Sequence, residues 1–277
     1  MKDARVAVGG GRQLAYTDIG DPGGRCVVFF HGAPMSRFHL VGMESRFAAQ
    51  GLRVVSPDRP GYGGSSPQVG RSMADWPTDV AALADALGID RFMVAGHSSG
   101  GPYAVACAAV LPDRVLAGAV VAGVTDMAWP GAWDGYIGDE LEIMRLPDEN
   151  SAAAWCVKRF GSDGSGFLEE PFAFPEPDLP LLADGSLAAA LTEALRQGVG
   201  GYAQDVYVQG RPWPFDPARI CAPIEVSHGE LDTLLPLAHS RHTAELVRGS
   251  TLRIYPGHGH LTLVAELPRM IAALSVS

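Results

Sequence analysis

The sequence lacks the features of a protein that binds nucleic acid or spans a membrane. Its 277 residues include 31 acidic and only 21 basic side chains, for a formal charge of −10, and there is no run of lysine or arginine. Nucleic acids and anionic membranes attract basic surfaces, so we expect neither as a partner. No apolar run approaches the ~18 residues of a membrane-spanning helix. The start, MKDARVAVGG, lacks the apolar stretch of a secretory signal, and we therefore expect a cytoplasmic protein.

Cysteine is also scarce. The four cysteines, Cys26, Cys107, Cys156 and Cys221, are scattered along the chain and form no CxxC pair. Disulfide frameworks and structural zinc sites draw on closely spaced, paired cysteines. We therefore expect free and mostly buried thiols, with neither a disulfide framework nor a structural zinc.

The sequence does contain an alternation of short apolar strands and helices. Four segments have the apolar pattern of a strand buried on both faces: CVVFFHG (26–32), LRVVSPD (52–58), RFMVAGH (91–97) and VLAGAVVAG (115–123). Near the C-terminus, IEVSHGE (224–230) and TLRIYPG (251–257) are also predicted strands, each followed by a helix. Amphipathic patterns predict helices between them, including one at about 38–51 and one at 73–88. Such an alternation predicts an α/β fold with a mostly parallel, doubly wound sheet covered by helices on both sides. Before residue 26, RVAV and QLAYTDIG predict a hairpin at an antiparallel edge.

Residues 127–212 interrupt this alternation. They contain several helical stretches joined by a Pro-rich loop, PFAFPEPDLP. We interpret them as a helical lid inserted between core strands six and seven, over the carboxyl edge of the sheet, where open α/β sheets bind ligands. The domain boundaries are then 1–126 and 213–277 for the core and 127–212 for the lid. Trp129, Trp133 and Trp155 fall inside the lid, and we expect them to contact substrate.

A nucleophile motif follows the strand at 91–97. Gly96-His97-Ser98-Ser99-Gly100 is a G-x-S-x-G pattern between a strand and a helix, which is the context that this motif requires. Taken alone, the pattern also describes a glycine-rich turn with a serine that caps the helix. The turn is so sharp that the residues two before and two after the nucleophile must both be small. Ser98 meets this condition with Gly96 and Gly100, whereas Ser99 would place His97 at a flanking position, so we choose Ser98.

A serine nucleophile needs a histidine base that a carboxylate orients, and in this fold the chain order is Ser, acid, His. We predict His260 as the base, because it follows a glycine in the loop after the last strand and directly precedes a helix; His258, two residues earlier, is the alternative. For the acid we favour Asp232, in the loop after the seventh core strand. The alternatives for the acid are Asp126, after the sixth strand, and Glu230. His228, at a strand end, is expected to make structural hydrogen bonds.

The oxyanion hole requires two backbone N–H groups. One is expected from Ser99, the residue after the nucleophile. The second is expected from Ala33, in the loop after the strand at 26–32, because the following Pro34 has no N–H. His31 is expected to hold this loop by a side-chain hydrogen bond.

Together these segments resemble the α/β-hydrolase superfamily, in its lid-bearing branch of esterases, haloperoxidase-like enzymes, epoxide hydrolases and C–C bond hydrolases. The matching segments are HGAP (31–34), DRPGYGGSS (58–66), GHSSGG (96–101), GELDTLLP (229–236) and GHGH (257–260). The resemblance implies Asp232 and His260 as the partners of Ser98, and it implies no cofactor or metal. Epoxide hydrolases and haloalkane dehalogenases carry Asp where Ser98 stands, and proline iminopeptidases carry HGGPG where this chain has HGAPMS. Those three activities are therefore disfavoured.

The function predicted from the sequence is a serine hydrolase of the carboxylesterase type. It would cleave an ester-like bond (a carboxylic ester, lactone or thioester) of a small to medium, partly apolar molecule through an acyl-enzyme. Because a fold does not fix a reaction, two alternatives stay open. They are a non-hydrolytic or C–C cleaving lyase or cyclase that uses the same triad, and a ligand-binding receptor. The sequence does not indicate the oligomeric state.

Overall fold

The computed structural model describes residues 1–168, 174–182 and 185–274. Within them, eight strands form one sheet in the order β1-β2-β4-β3-β5-β6-β7-β8. The strands are β1 Lys2–Ala7, β2 Gln13–Gly20, β3 Arg25–Phe30, β4 Leu52–Pro57, β5 Phe92–His97, β6 Val115–Val121, β7 Ile224–Gly229 and β8 Thr251–Tyr255. β2 pairs antiparallel with β1 and β4, and all other neighbours are parallel. The predicted mostly parallel sheet with a hairpin at one edge is therefore confirmed.

Helices connect the strands. They are α1 Glu44–Ala48, α2 Trp76–Ala86, α3 Gly101–Val110, α4 Asp139–Met144, α5 Glu149–Phe160, α6 Leu179–Leu182, α7 Ser186–Ala194, α8 Gly200–Gln209, α9 Leu237–Leu246 and α10 Leu267–Ala273. No helix in the described part of the chain is long and apolar enough to cross a membrane.

The central strands β3 to β7 are buried on both faces, as their apolar patterns predict, whereas the edge strand β8 is exposed at three of its five positions. Along β5, Phe92 and Val94 pack on one face with α2 and α3, whereas Met93 and Ala95 pack on the other with α1 and α10. Successive side chains of a strand point to opposite faces, so two hydrophobic cores require apolar residues at every position. This double burial holds the carboxyl ends of the parallel strands, and the loops that follow them, in fixed positions.

The first predicted helix is shorter than its pattern suggested. The amphipathic pattern covers 38–51, but residues 38–43 form turns and α1 begins only at Glu44. Gly42 adopts a φ of +92°, which lies outside the helical region, so the helix cannot extend back through this residue towards 38. The predicted helix at 73–88 is present as a short 3-10 turn, Met73–Asp75, followed by α2.

A helical insertion, α4 to α8, lies between β6 and β7. It has a hydrophobic cluster of its own, which also includes Tyr62 and Val124 from the loops after β4 and β6. Because those loops leave the carboxyl ends of parallel strands, the insertion packs over that edge of the sheet. Its last helix, α8, begins with two glycines and was not predicted from the sequence.

Candidate active site

Ser98 lies on a strained turn between β5 and α3. Its φ is +54°, in the left-handed region that residues other than glycine rarely adopt. A Cβ at Gly96 would lie 2.1 Å from the carbonyl oxygen of Gly100, and a Cβ at Gly100 would lie 2.1 Å from that of Phe30. Both obstacles are backbone atoms, so both positions require glycine. This is the steric condition from which the sequence argument selected Ser98 over Ser99.

His260 and Asp232 form a close pair. The imidazole Nδ1 of His260 lies 2.7 Å from Asp232 Oδ2, and the other carboxylate oxygen accepts hydrogen bonds from the N–H groups of Leu234 and Leu235 at 2.8 and 3.0 Å. Burial alone would raise the pKa of Asp232, but His260 and the backbone donors outweigh it and hold the pKa below its ordinary value. An ionised carboxylate at Nδ1 fixes the tautomer in which Nε2 is free to accept a proton.

The rivals that the sequence left open have other partners. Asp126 accepts hydrogen bonds from the N–H groups of Ala128 and Trp213 at 3.0 and 3.3 Å. Glu230 accepts one from Gly257 N–H at 3.2 Å. His258 is not among the residues that line the cavity around Ser98. The structure therefore brings Asp232, and neither alternative acid, into contact with His260.

Two further histidines, His228 and His97, make hydrogen bonds to the loops that carry the His260–Asp232 pair. His228 Nε2 lies 3.1 Å from the carbonyl oxygen of Leu235, and its Nδ1 lies 2.9 Å from Ser240 Oγ. His97, beside the nucleophile, donates from Nε2 to the carbonyl oxygen of His260 at 3.0 Å. Burial lowers the pKa of both His228 and His97, which keeps these rings neutral. The nucleophile turn and the histidine loop are thus joined directly through His97.

Buried groups hold the loop that carries Ala33 through hydrogen bonds. His31 Nε2 accepts a hydrogen bond from Arg59 N–H at 3.2 Å, and the Arg59 side chain donates to the His31 carbonyl oxygen. Gly32 N–H donates to His39 Nδ1 at 3.2 Å, so it is already paired. Ala33 lines the cavity with Ser98 and Ser99. Because Gly32 N–H is paired and Ala33 lines the cavity, the N–H of Ala33 stays the predicted second donor to an oxyanion.

A cavity of about 500 Å³ opens between the core and the insertion, and Ser98 and His260 both line it. Its wall is mainly apolar. The aromatic members are Tyr136, Phe160, Phe167, Phe174 and Tyr202, and the aliphatic ones are Met35, Ile137, Leu234, Leu235 and Leu261. A cavity of this size and composition suits a small organic molecule. Among the described residues, no group of three or more His, Cys, Asp or Glu side chains is placed to hold a metal ion.

Comparison with known proteins agrees with this architecture. The family model for the alpha/beta hydrolase fold matches residues 25–266. The chain belongs to this family. A non-heme chloroperoxidase of Streptomyces lividans is 30% identical over 95% of both chains. A bifunctional esterase/perhydrolase of Acinetobacter calcoaceticus is 28% identical, over 92% of this chain and 93% of that protein. The crystal structure of an enol-lactonase from Burkholderia xenovorans has a TM-score of 0.70 at 20% identity, covers 97% of this chain and 98% of that one, and shares the fold.

The three tryptophans expected at the substrate do not line the cavity of this alpha/beta hydrolase. Trp129 stacks on His242 with ring centroids 4.2 Å apart, Trp133 lies beneath the Arg145 guanidinium, and Trp155 packs edge-to-face on Phe160. All three pack against the hydrophobic cluster of the insertion. That prediction was wrong because aromatic content identifies a helical segment but does not show which of its faces meets the cavity.

A polar group at the insertion side of the cavity was missed by sequence analysis. Glu140 and Arg159 both line the cavity, and Arg159 is ion-paired with Asp139 at 2.9 Å. Glu140 is half-buried and accepts a hydrogen bond from the Tyr202 hydroxyl at 3.1 Å. Burial raises the pKa of Glu140, although the Tyr202 hydrogen bond opposes this. The wall opposite the core thus offers hydrogen-bonding groups within an otherwise apolar cavity.

Proposed function

We propose that this alpha/beta hydrolase is a serine hydrolase that cleaves an ester-like bond (a carboxylic ester, lactone or thioester) through an acyl-enzyme. The observation that carries the proposal is the placement of Ser98, on its strained turn, in the same cavity as an imidazole that is paired with a buried carboxylate. This arrangement supplies a nucleophile, a base and an orienting acid in the roles of a hydrolytic triad.

In the first half-reaction the Ser98 hydroxyl attacks the acyl carbon, and His260 Nε2 takes its proton. The Ala33 and Ser99 N–H groups bind the oxyanion that forms on the acyl oxygen. The tetrahedral intermediate collapses as His260 returns the proton to the leaving alkoxide or thiolate, which gives the free alcohol or thiol and the Ser98 ester. Asp232 stays ionised throughout and stabilises the imidazolium.

In the second half-reaction water replaces the leaving group. His260 takes a proton from the water, whose oxygen attacks the acyl carbon, and then returns this proton to Ser98 Oγ as the ester bond breaks. The products are the carboxylic acid and the free serine. The volume and aromatic lining of the cavity favour a small to medium, partly apolar acyl group. The helical insertion at 127–212 acts as the lid of this cavity.

Two similar proteins, the Acinetobacter esterase/perhydrolase and the Burkholderia enol-lactonase, have names that denote activity on esters or lactones. Those names support an ester-like substrate as the first class to assay, and they leave the acyl and alcohol parts open.

The test uses p-nitrophenyl esters and a fluorophosphonate probe. Wild-type protein is expected to hydrolyse p-nitrophenyl acetate or butyrate and to carry one phosphonate, which peptide mapping places on Ser98. Ser98→Ala should abolish labelling and lower kcat by roughly 10³–10⁶-fold, since the nucleophile acts as a unit with its base. Ser45→Ala, an exposed serine on α1, is the matched control and should behave as wild type. Full hydrolysis by Ser98→Ala, or a label on another residue, would contradict the proposal.

A further inference from the structure

A buried carboxylate of the insertion contacts the loop that carries His260. Asp178 ends a 3-10 turn, Glu176–Asp178, directly before α6, and it is fully buried. Its Oδ2 accepts a hydrogen bond from Leu261 N–H at 2.9 Å, and its Oδ1 accepts one from Thr262 N–H at 2.8 Å and one from Thr262 Oγ1 at 2.9 Å. The carboxylate therefore binds the two residues that directly follow His260.

The residue before His260 is connected to the same carboxylate. Gly259 N–H donates to Thr262 Oγ1 at 2.8 Å, and that hydroxyl in turn donates to Asp178. The approach is so close that a Cβ at Gly259 would lie 2.6 Å from both carboxylate oxygens of Asp178 and from a ring atom of Pro175. The glycine that precedes the histidine is thus required by a contact with the insertion.

These contacts bracket the imidazole. The side chain of His260 is oriented by Asp232, its carbonyl oxygen accepts from His97, and the backbone on both sides of it is tied to Asp178, directly or through Thr262. Asp232 and His97 belong to the core, whereas Asp178 comes from the segment between β6 and β7. Asp178 itself is absent from the cavity lining, so it is not placed to touch a substrate.

We propose that Asp178 is a positioning residue through which the helical insertion fixes His260 for catalysis. The inference rests on the proposed serine-hydrolase function. A buried carboxylate whose oxygens are matched to three donors holds them rigidly, since any displacement leaves a buried charge or N–H unpaired. The insertion therefore contributes to the rate of the reaction as well as to the shape of the cavity.

Four variants of the full-length protein test the proposal. Asp178→Asn keeps the size of the side chain but replaces one acceptor oxygen with a donor. Thr262→Val removes the hydroxyl that links Gly259 to Asp178, and Thr262→Ser restores it. Asp148→Ala is the matched control, because Asp148 also lies in the insertion and caps a backbone N–H, that of Ser151, but is exposed at the start of α5. Since Thr262 is only half-buried, its variants remain informative even if Asp178→Asn folds poorly.

The readouts are the number of competent sites from fluorophosphonate titration, kcat per titrated site and KM for p-nitrophenyl butyrate, and the rate constant of labelling. Asp178→Asn and Thr262→Val are expected to lower kcat per titrated site and the labelling rate by roughly 10–100-fold, since small displacements of a catalytic group have effects of this size. KM should change little, because neither residue lines the cavity. Thr262→Ser should regain most of the lost rate, and Asp148→Ala should match wild type.

A purely structural role predicts a different pattern. It would lower the number of titrated sites and the unfolding temperature but leave kcat per site at the wild-type value, and that result would overturn the proposal. An equal loss in Thr262→Ser and Thr262→Val would also overturn it. If wild-type protein is labelled at Ser98 and both Asp178→Asn and Thr262→Val react at its rate, the positioning role fails while the hydrolase function stands. If wild-type protein is neither labelled nor active, the proposed function itself fails, and the positioning role falls with it.

Discussion

The most demanding test of the packing between insertion and core is the substitution Asp205→Asn. Asp205, on α8, is fully buried and lies 2.8 Å from Arg59 Nη2 and 2.7 Å from Arg71 Nη2, both of which are also buried. It accepts further hydrogen bonds from the side chains of Tyr62, Tyr103 and Gln209 at 3.2, 2.6 and 3.1 Å. Asparagine keeps the shape of the side chain and removes its charge, so two buried guanidinium groups lose their counter-charge.

The size of the effect follows from this burial. Removing one partner of a buried ion pair costs about 3–5 kcal/mol, because the remaining charge stays desolvated and uncompensated. For a domain of this size 1 kcal/mol corresponds to roughly 2–3 °C, so we expect the unfolding temperature to fall by about 6–15 °C. Asp85→Asn is the matched control, since it breaks an ion pair with Arg114 at 2.9 Å whose aspartate is two-thirds exposed. Surface pairs of that kind contribute little.

The same substitution should change how stability depends on pH. Burial alone would raise the pKa of Asp205, but Arg59 and Arg71 outweigh it and hold the pKa well below its ordinary value. A depressed folded-state pKa stabilises the protein above the unfolded-state value of about 4, and this contribution is lost as the pH falls towards the folded-state pKa. The difference in unfolding temperature between wild type and Asp205→Asn should therefore narrow as the pH is lowered from about 5 to 3.

Thermal unfolding followed by circular dichroism at pH 7 and at lower pH gives both quantities. An unfolding temperature of Asp205→Asn close to that of Asp85→Asn would refute the reasoning, because the charge of the buried Asp205 would then make no net contribution to the stability of the folded protein. A constant difference across the acid range would refute the assignment of the charge to Asp205.

Two further predictions concern the cavity wall and the thiols. Phe160→Leu should raise the ratio of p-nitrophenyl octanoate to acetate hydrolysis, because Phe160 lines the cavity and Trp133 does not. Trp133→Phe should leave that ratio at the wild-type value, and an equal change in both variants would contradict this. Brief treatment of the native protein with iodoacetamide should add one carbamidomethyl group, on the exposed Cys221, since Cys107 and Cys156 are buried and burial raises the pKa of the Cys26 thiol to about 12. Intact-mass measurement of Cys221→Ser should show no adduct, and a second adduct on the wild type would disagree with the structure.

The parts of the fold and site that follow from local rules could be predicted from the sequence. Apolar residues at every position of a strand require a sheet covered on both faces, and the central strands of the sheet have that form. The choice of Ser98 depends on which residues flank a sharp turn, so it needs only five consecutive residues. The choice among Asp232, Asp126 and Glu230 depends on contacts across the fold, so the sequence favoured Asp232 but did not exclude the other two.

Asp178 and Asp205 show why the rest could not be predicted. Asp178 stands in a Pro-rich stretch, PFAFPEPDLP, where an aspartate has the pattern of a solvated loop residue. Its partners Leu261 and Thr262 are more than 80 positions away, and no local pattern indicates the contact. The prediction for the three tryptophans failed for a related reason, since the face of a helix that lines the cavity depends on how the whole insertion packs on the core.

The contacts of the insertion argue against treating it as a separable lid. The proposed catalytic groups, Ser98, Asp232 and His260, all come from the core. Yet the loop that carries His260 is tied to Asp178, and Arg59, which holds the loop before Ala33, is paired with Asp205. Both aspartates belong to the insertion, and both are fully buried. Replacing this insertion with another that lacked the two carboxylates would therefore disturb the proposed base, His260, and the loop of the proposed oxyanion hole at the same time as it changed the cavity wall. Under the proposed function, substrate selection and catalytic geometry therefore depend on the same segment of chain.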